Sequence, residues 1–487
     1  MIAKTPLASL VFVVLFLTYA YFMVDPIWNG WSHMDLTRAL VEDHTARIDR
    51  FQENTGDKSR FQGHYYSDKP PGLSLLAVPG YAAYFGSLRL LYGAAGARQH
   101  ADAQPRWGVY VSTVATVTLL SAVAGTVFFS IAVYLTHDLF KALFATAAYG
   151  LGSLAFPFST LFFSHQLTGS LLFVAFALLF SERRREPDAL HAVSWRWPVF
   201  LAGLAAGYAT VTELSAAIPT LILGVYAAAA RSTRRTLWAF LAGGGLAASV
   251  LVMYNFASFR SPFALGYSYL VDPTYAKGMS EGFMGLTFPK PAVLYEIILG
   301  LYRGLVPLSP VVLVAAVGAW RMWKEGSARL ELMVGGSIVA FYFLFNASYV
   351  FWDGGWSFGP RHVVPMLAFL YLPIAFGIGA RPIIAGGLLA LSVLHMLLAT
   401  TIGPLVPTDN PSPLLLYVYP RIVYGFIWSQ EKSSNWAMLF KLDGYWVLVP
   451  LLVMWTAAAV IAGIRMIRAP SALRTDRLAN GSAARSS

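Results

Sequence analysis

The chain has 487 residues, of which 57% are hydrophobic and only 12% charged, with a mean hydropathy of +0.58. Soluble domains carry roughly 25% charged residues, so this composition excludes a soluble globular protein and implies a polytopic membrane protein. The net charge of +11 fits basic cytoplasmic loops rather than nucleic-acid binding, and the absence of cysteine excludes disulfides and thiolate chemistry.

In chain order, residues 6–24 form the first apolar run. No small-residue cleavage site follows it, so a retained first span is expected. The arginine clusters then set the topology: ERRRE at 182–186, RSTRR at 231–235, RMWKEGSAR at 321–329 and the basic tail from Arg465 all belong on the cytoplasmic side. Apolar runs consistent with them lie at 6–24, 107–135, 141–157, 165–181, 198–211, 214–230, 237–256, 304–320, 331–348, 362–379, 383–402 and 445–465. The expectation is a single all-α transmembrane domain over 1–487, a bundle of about 12 spans with both termini cytoplasmic and 466–487 as a basic tail. The pair 198–230 reads as a tight hairpin or one bent element. The outer face then owns three long segments, 25–106, 257–303 and 403–444. A span at 72–92 would invert the later loops, so it is expected as a helix lying in or against the outer interface.

Residues 25–69 hold 14 of the 59 charged residues, in less than a tenth of the length, which concentrates chemistry there. The stretch SHMDLTRALVEDHTARIDR, 32–50, reads as an interfacial helix. Asp35, Arg38, Glu42 and Asp49 share one stripe facing water or a cleft. For Glu42, Asp43 and Asp49 a solvated helix face accounts for the charge. Asp35, the first acid of that helix, suits general-base work, with Arg38 one turn on to orient it.

In HYYSDKPPG, 64–72, the paired prolines suit a helix start. That places Lys69 just before a helix N-terminus, where anions are favoured. Lys69 is therefore a candidate phosphate ligand, or an interfacial lysine reaching headgroups. Arg106, Arg303 and Arg361 stand at outer entrances of spans, against the positive-inside bias, and each asks for an anionic partner. His362 adjoins Arg361. His165 and Glu213 lie near outer helix ends, where structural hydrogen bonding explains them. No spacing typical of metal ligands occurs.

These stretches together resemble the GT-C superfamily of membrane glycosyltransferases, in the branch of the protein O-mannosyltransferases and the lipid A aminoarabinose transferases. DLTR at 35–38 is similar to the acidic motif of their first outer loop, and YSDKPP at 66–71 to its acid-Lys-Pro element. YNFASFRSPFALGYSY (254–269), YRGLVPLSP (302–310) and WSFGPRHVVP (356–365) resemble stretches recurring in bacterial members. The resemblance implies an enzyme of the plasma (inner) membrane with its site on the extracytoplasmic face. It would take a sugar from a polyprenyl-phosphate donor and pass it, with inversion, to a hydroxyl of an acceptor that is a protein, glycolipid or polysaccharide. Asp35 would be the base. Lys69 would hold the donor phosphate, with Arg106 and Arg361 as the further outer cations. Arg38, Glu42, Tyr66, Asp68, His165, Arg303 and His362 are the remaining substrate-site candidates. Many members carry two adjacent acids where Leu36 follows Asp35 here; the second is then Glu42 or is absent. Some members use a divalent cation, which the sequence leaves open. The alternatives are a transporter or flippase of a lipid-linked saccharide and a non-catalytic assembly protein. No internal repeat supports the transporter.

Overall fold

Fifteen residues with hardly a polar group, Pro6–Ala20, form α1. The computed structural model describes residues 6–184, 197–229, 237–425 and 433–468. The cluster 231–235, Arg185 and Glu186 of the first cluster, residues 426–432 of the third outer segment and 469–487 of the tail lie outside the described residues.

After α1 come β1 (Phe22–Met23), α2 (Trp28–Glu42), β2 (Lys58–Phe61), β3 (His64–Ser67), α3 (Gly72–Ala103) and α4 (Pro105–Thr136). Further helices and their connecting loops follow, with β4 (Ser434–Asn435) before the last described helix. Each expected span coincides with a helix or a run of short helical pieces. Among the described residues, six helices are long and apolar enough to cross a membrane: α4, Ser164–Arg183, Leu237–Phe259, Arg329–Ser348, Pro382–Ile402 and Gly444–Ile467. The segment 198–230 is a helical hairpin broken at Glu213, since Thr220 Oγ1 donates back to the Ala206 carbonyl at 2.7 Å.

Among the described residues the fold is all-α except for two short antiparallel ribbons. β1 pairs with β4, Phe22 opposite Asn435. β2 pairs with β3, from Lys58 opposite Ser67 to Phe61 opposite His64. The β2–β3 turn is Gln62–Gly63, both at positive φ (50° and 85°), which matches the right-handed twist of the strands.

Aromatic packing fills the bundle, as where Phe128 stacks on Tyr149 at 5.0 Å and Phe173 meets Phe369 at 5.3 Å. At one end of the bundle, Arg184 Nη2 donates to the Ser327 carbonyl at 3.0 Å, and Arg183 and Arg184 face Glu331. Two of the basic clusters therefore meet. A separate small core, built from Leu36, Ile48, Phe51, Tyr66, Tyr254 and Phe259, joins the first outer segment to the second.

Two expectations about the first outer segment are corrected. The helix expected over 32–50 ends at Glu42; His44 at φ 53° turns the chain, and Arg50 folds back to pair with Glu42 at 2.8 Å. Asp49 thus leaves the stripe and instead accepts from the Tyr65 amide at 2.6 Å and faces His64 at 2.7 Å. Of the two faces expected for the stripe, water or a cleft, water is excluded, because Asp35, Arg38 and Glu42 are buried. The paired prolines do begin a helix: Pro71 is the N-cap of α3. Within α3, Gly93 (φ 73°, ψ 177°) breaks the helix, in a conformation that glycine alone adopts readily. The chain doubles back there: Tyr81 Oη donates to Glu42 Oε1 at 2.6 Å, and Arg98 Nη2 donates to the Glu42 carbonyl at 2.8 Å. Both limbs of α3 touch one residue of α2, and the bend leaves Leu90, Leu91 and Tyr92 exposed.

Candidate functional site

Asp35 sits mid-way along α2 with no solvent exposure. Its Oδ1 accepts from Asn54 Nδ2 at 2.9 Å, and its Oδ2 has no hydrogen-bond partner among the described residues. Burial pushes its pKa up to about 7, against the Asn54 hydrogen bond and the charges of Arg38 and Lys58. A carboxyl poised near neutrality, with one oxygen fixed and the other free, has the properties of a general base.

Arg38 does not bond to Asp35. Its Nε donates to Glu42 Oε1 at 2.7 Å, and Nη2 pairs with Asp102. Glu42 is taken up by Arg38, Arg50 and Tyr81. The two residues therefore form an ionic clasp between α2 and the returning limb of α3. The Arg38 charge still reaches Asp35 through space. Tyr66 belongs to the small outer core, its ring 5.3 Å from that of Phe259.

One turn before Asp35, Ser32 Oγ donates to Asp68 Oδ1 at 3.2 Å, which brings the Asp-Lys pair against α2. Lys69 Nζ lies 2.9 Å from Asp57 Oδ2 and 3.1 Å from Asp68 Oδ2. Burial lowers the pKa of the Lys69 ammonium, but the two carboxylates outweigh it and hold the pKa above the ordinary lysine value. Burial pushes Asp68 up to about 6 despite Lys69. α3 is docked tightly just beyond: Tyr208 Oη donates to the Gly72 carbonyl at 2.8 Å, and a Cβ on Gly72 would lie 2.7 Å from the Thr212 backbone. A crevice of about 10 Å³ runs between Asp68, Lys69, Tyr254, Asn255, Gly266 and Tyr267, roughly the room one water needs.

Other segments converge on the same place. His33, from α2, is held neutral, its pKa pulled down to about 3 by burial and then by Lys69 and His165. The His165 ring faces the Glu213 carboxylate, to which Ser164 Oγ also donates at 2.7 Å. His362 meets His165 edge to face, with centroids 5.5 Å apart, and its Nε2 lies 3.2 Å from the Phe351 carbonyl. Arg361 packs its stem against Gly354 and sets its guanidinium 5.7 Å from the Phe163 ring centroid. Its Nε has no partner among the described residues. Tyr267, Tyr275 and Tyr349 stand within electrostatic reach of Lys69. Arg303 is fully buried and donates to the carbonyls of Gly355 and Ser357, so it shapes the loop that carries Arg361. Arg106 opens α4 at an exposed position and takes no part in these contacts.

The structure thus gathers Asp68, Lys69, His165, Arg361 and His362, with Asp35 on the adjoining face of α2. Asn54, Asp57, His33 and Glu213 complete the group. In the sequence, Asn54 and Gly56 read only as turn markers, and no local signal ties Asp57 to Lys69. Among the described residues no group of three or more histidine or acidic side chains is arranged to hold a metal ion.

No family model matches the chain, and no curated protein matches it. Among solved structures it is similar to ArnT from Cupriavidus metallidurans bound to undecaprenyl phosphate, with 15% identity, 78% of this chain covered and a TM-score of 0.45. The match covers 61% of that chain, so this protein spans less than two thirds of its length. A likeness with this identity and TM-score carries no argument about fold or function.

Proposed function

We propose that the protein is a glycosyltransferase that moves a sugar from a polyprenyl-phosphate carrier to an acceptor hydroxyl at the outer face of the plasma membrane. The reading assigns the chain about twelve spans, cytoplasmic termini and an extracytoplasmic site. The observation that carries it is the state of Asp35: buried, fixed at Oδ1 by Asn54, free at Oδ2 and poised near pH 7, one helical turn from the residue that bonds the Asp68–Lys69 pair.

In this mechanism Asp35 takes the proton of the acceptor hydroxyl as its oxygen attacks the anomeric carbon. The carbon–oxygen bond to the phosphate breaks, and the carrier leaves as polyprenyl phosphate, with inversion at carbon. A phosphate leaving group needs no proton, but it gains from fixed positive charge as its bond breaks. Lys69 and Arg361 supply that charge. Arg106, exposed at the start of α4, is left to meet headgroups at the membrane surface. The apolar tail of the donor is the reason such a site must open to lipid.

The test is purified protein incubated with a panel of polyprenyl-phosphate sugars and candidate acceptors, read by release of polyprenyl phosphate. Release by the wild type that is lost in Asp35→Asn supports the reading. No acceptor-dependent release from any donor, by protein shown to be folded, removes it.

A further inference from the structure

Residues 52–58 touch both halves of the proposed site. Asn54 Nδ2 donates to Asp35 Oδ1 at 2.9 Å. Further along the same segment, Asp57 Oδ2 meets Lys69 Nζ at 2.9 Å. Between them the segment rests on α2: Thr55 Oγ1 donates to the Trp28 carbonyl at 2.8 Å and accepts from the Asp57 amide at 3.0 Å. Gly56 lies against the Trp28 ring, where a Cβ would come within 2.7 Å. Asn54 is itself exposed while the carboxylate beneath it is fully buried. An exposed side chain thus reaches one oxygen of the buried Asp35 carboxyl.

The two contacts differ in kind. Asn54 holds Asp35 through Oδ1 and leaves Oδ2 open to an acceptor, whereas Asp57 stands where a substrate anion would. The proposed phosphate ligand needs an anion; here Lys69 has the carboxylate of Asp57. The second acid on Lys69, Asp68, adjoins it in the chain and is also bonded by Ser32 at 3.2 Å. Asp57 comes from the segment that lies across the site, so it is the acid that can leave.

We propose that residues 52–58 are a strap that fills the phosphate half of the site in the unliganded protein, with Asp57 yielding Lys69 to the anionic phosphate of a lipid carrier. This rests on the functional reading above. A self-occupied site lowers apparent affinity by the fraction of molecules that are open. Asp57 thus weakens binding of the very anion it stands in for, whereas a residue that recognised the ligand would strengthen it.

The experiment uses the full chain in detergent with undecaprenyl phosphate and, as the uncharged control, undecaprenol. Wild type is expected to prefer the phosphate. Asp57→Asn is expected to bind the phosphate roughly tenfold more tightly, with undecaprenol binding unchanged. Equal or weaker phosphate binding by folded Asp57→Asn overturns the strap. Because that variant leaves Lys69 with one acid, a second measurement is made on the wild type. Amide hydrogen exchange across 52–58 should speed up when undecaprenyl phosphate is added; unchanged or slower exchange also overturns it. A wild type with no preference for phosphate over alcohol and no transfer activity sinks the functional reading and the strap together. A wild type that prefers phosphate without the Asp57 effect sinks the strap alone.

Discussion

Arg303 donates through Nη2 to the carbonyl of Gly355 at 2.8 Å and so fastens the entrance of one helical run to the loop that ends in Arg361. The guanidinium is wholly buried, and no carboxylate contacts it among the described residues. The sequence suggested that this arginine awaited an anionic ligand. Instead it satisfies backbone oxygens that glycines at positive φ, Gly354 and Gly355, turn inward. Arg303→Ala should cost about 2–4 kcal/mol, since it strips charged donors from buried carbonyls. Arg303→Lys should recover only part of that, because an ammonium cannot form the fork. Thermal unfolding in micelles measures both, and a lysine variant as stable as wild type would show that the fork is dispensable.

For Asp35 the sign of the pH effect can be worked out. A base acts when deprotonated, so transfer should rise with pH and level off above about 7, the value to which burial pushes this carboxyl. Asp35→Asn should lower transfer by about 10²-fold or more while the protein still folds. Stability moves the other way. The folded pKa lies above the ordinary 3.8, so the stability Asp35 contributes is complete below that value and is lost as pH climbs to about 7. Relative to wild type, Asp35→Asn should therefore gain stability across that window. Melting curves of the two proteins that stay parallel at every pH would remove Asp35 as a perturbed acid.

Gly72→Ala should disturb Lys69 from behind. The added methyl would meet the Thr212 backbone at 2.7 Å, where nothing flexible can yield. An overpacking cost of roughly 1–3 kcal/mol is expected, together with weaker use of any phosphate-linked donor. Full donor affinity in the variant would show that the start of α3 does not set the position of Lys69.

Since the chain contains no cysteine, His100→Cys gives a single reporter on the returning limb of α3. A membrane-impermeant thiol reagent should label it from outside in intact cells. Labelling only after permeabilisation would put this limb on the cytoplasmic side and overturn the proposed topology.

Much of this arrangement was legible because its signals are local. The apolar runs marked the helices, the paired prolines marked the start of α3, and Asp35 and Lys69 stood out as charges placed beside a membrane. What was not legible depended on where the chain turns. Glu42 read as part of a solvated helix face, and the bend at Gly93 that sends α3 back to bring Tyr81 and Arg98 against it left no mark there. Asp57 carried no signal of its own, and only the β2–β3 hairpin returns Lys69 beside it. His165 lies on one helix and Glu213 at the break between two others, and only that break presents one to the other. Pairings of this kind leave no periodic trace in a sequence.

The pairing of β1 with β4 has a consequence for biogenesis. Phe22 leaves the first helix early in synthesis, yet its partner Asn435 emerges only as the last helix approaches. Until then the exit of α1, and the outer segment that follows it, lacks this tether, so the nascent site should be the last part of the protein to mature. A ribosome-stalled chain ending before residue 434 should accordingly leave the first outer segment open to protease, while the full-length protein protects it.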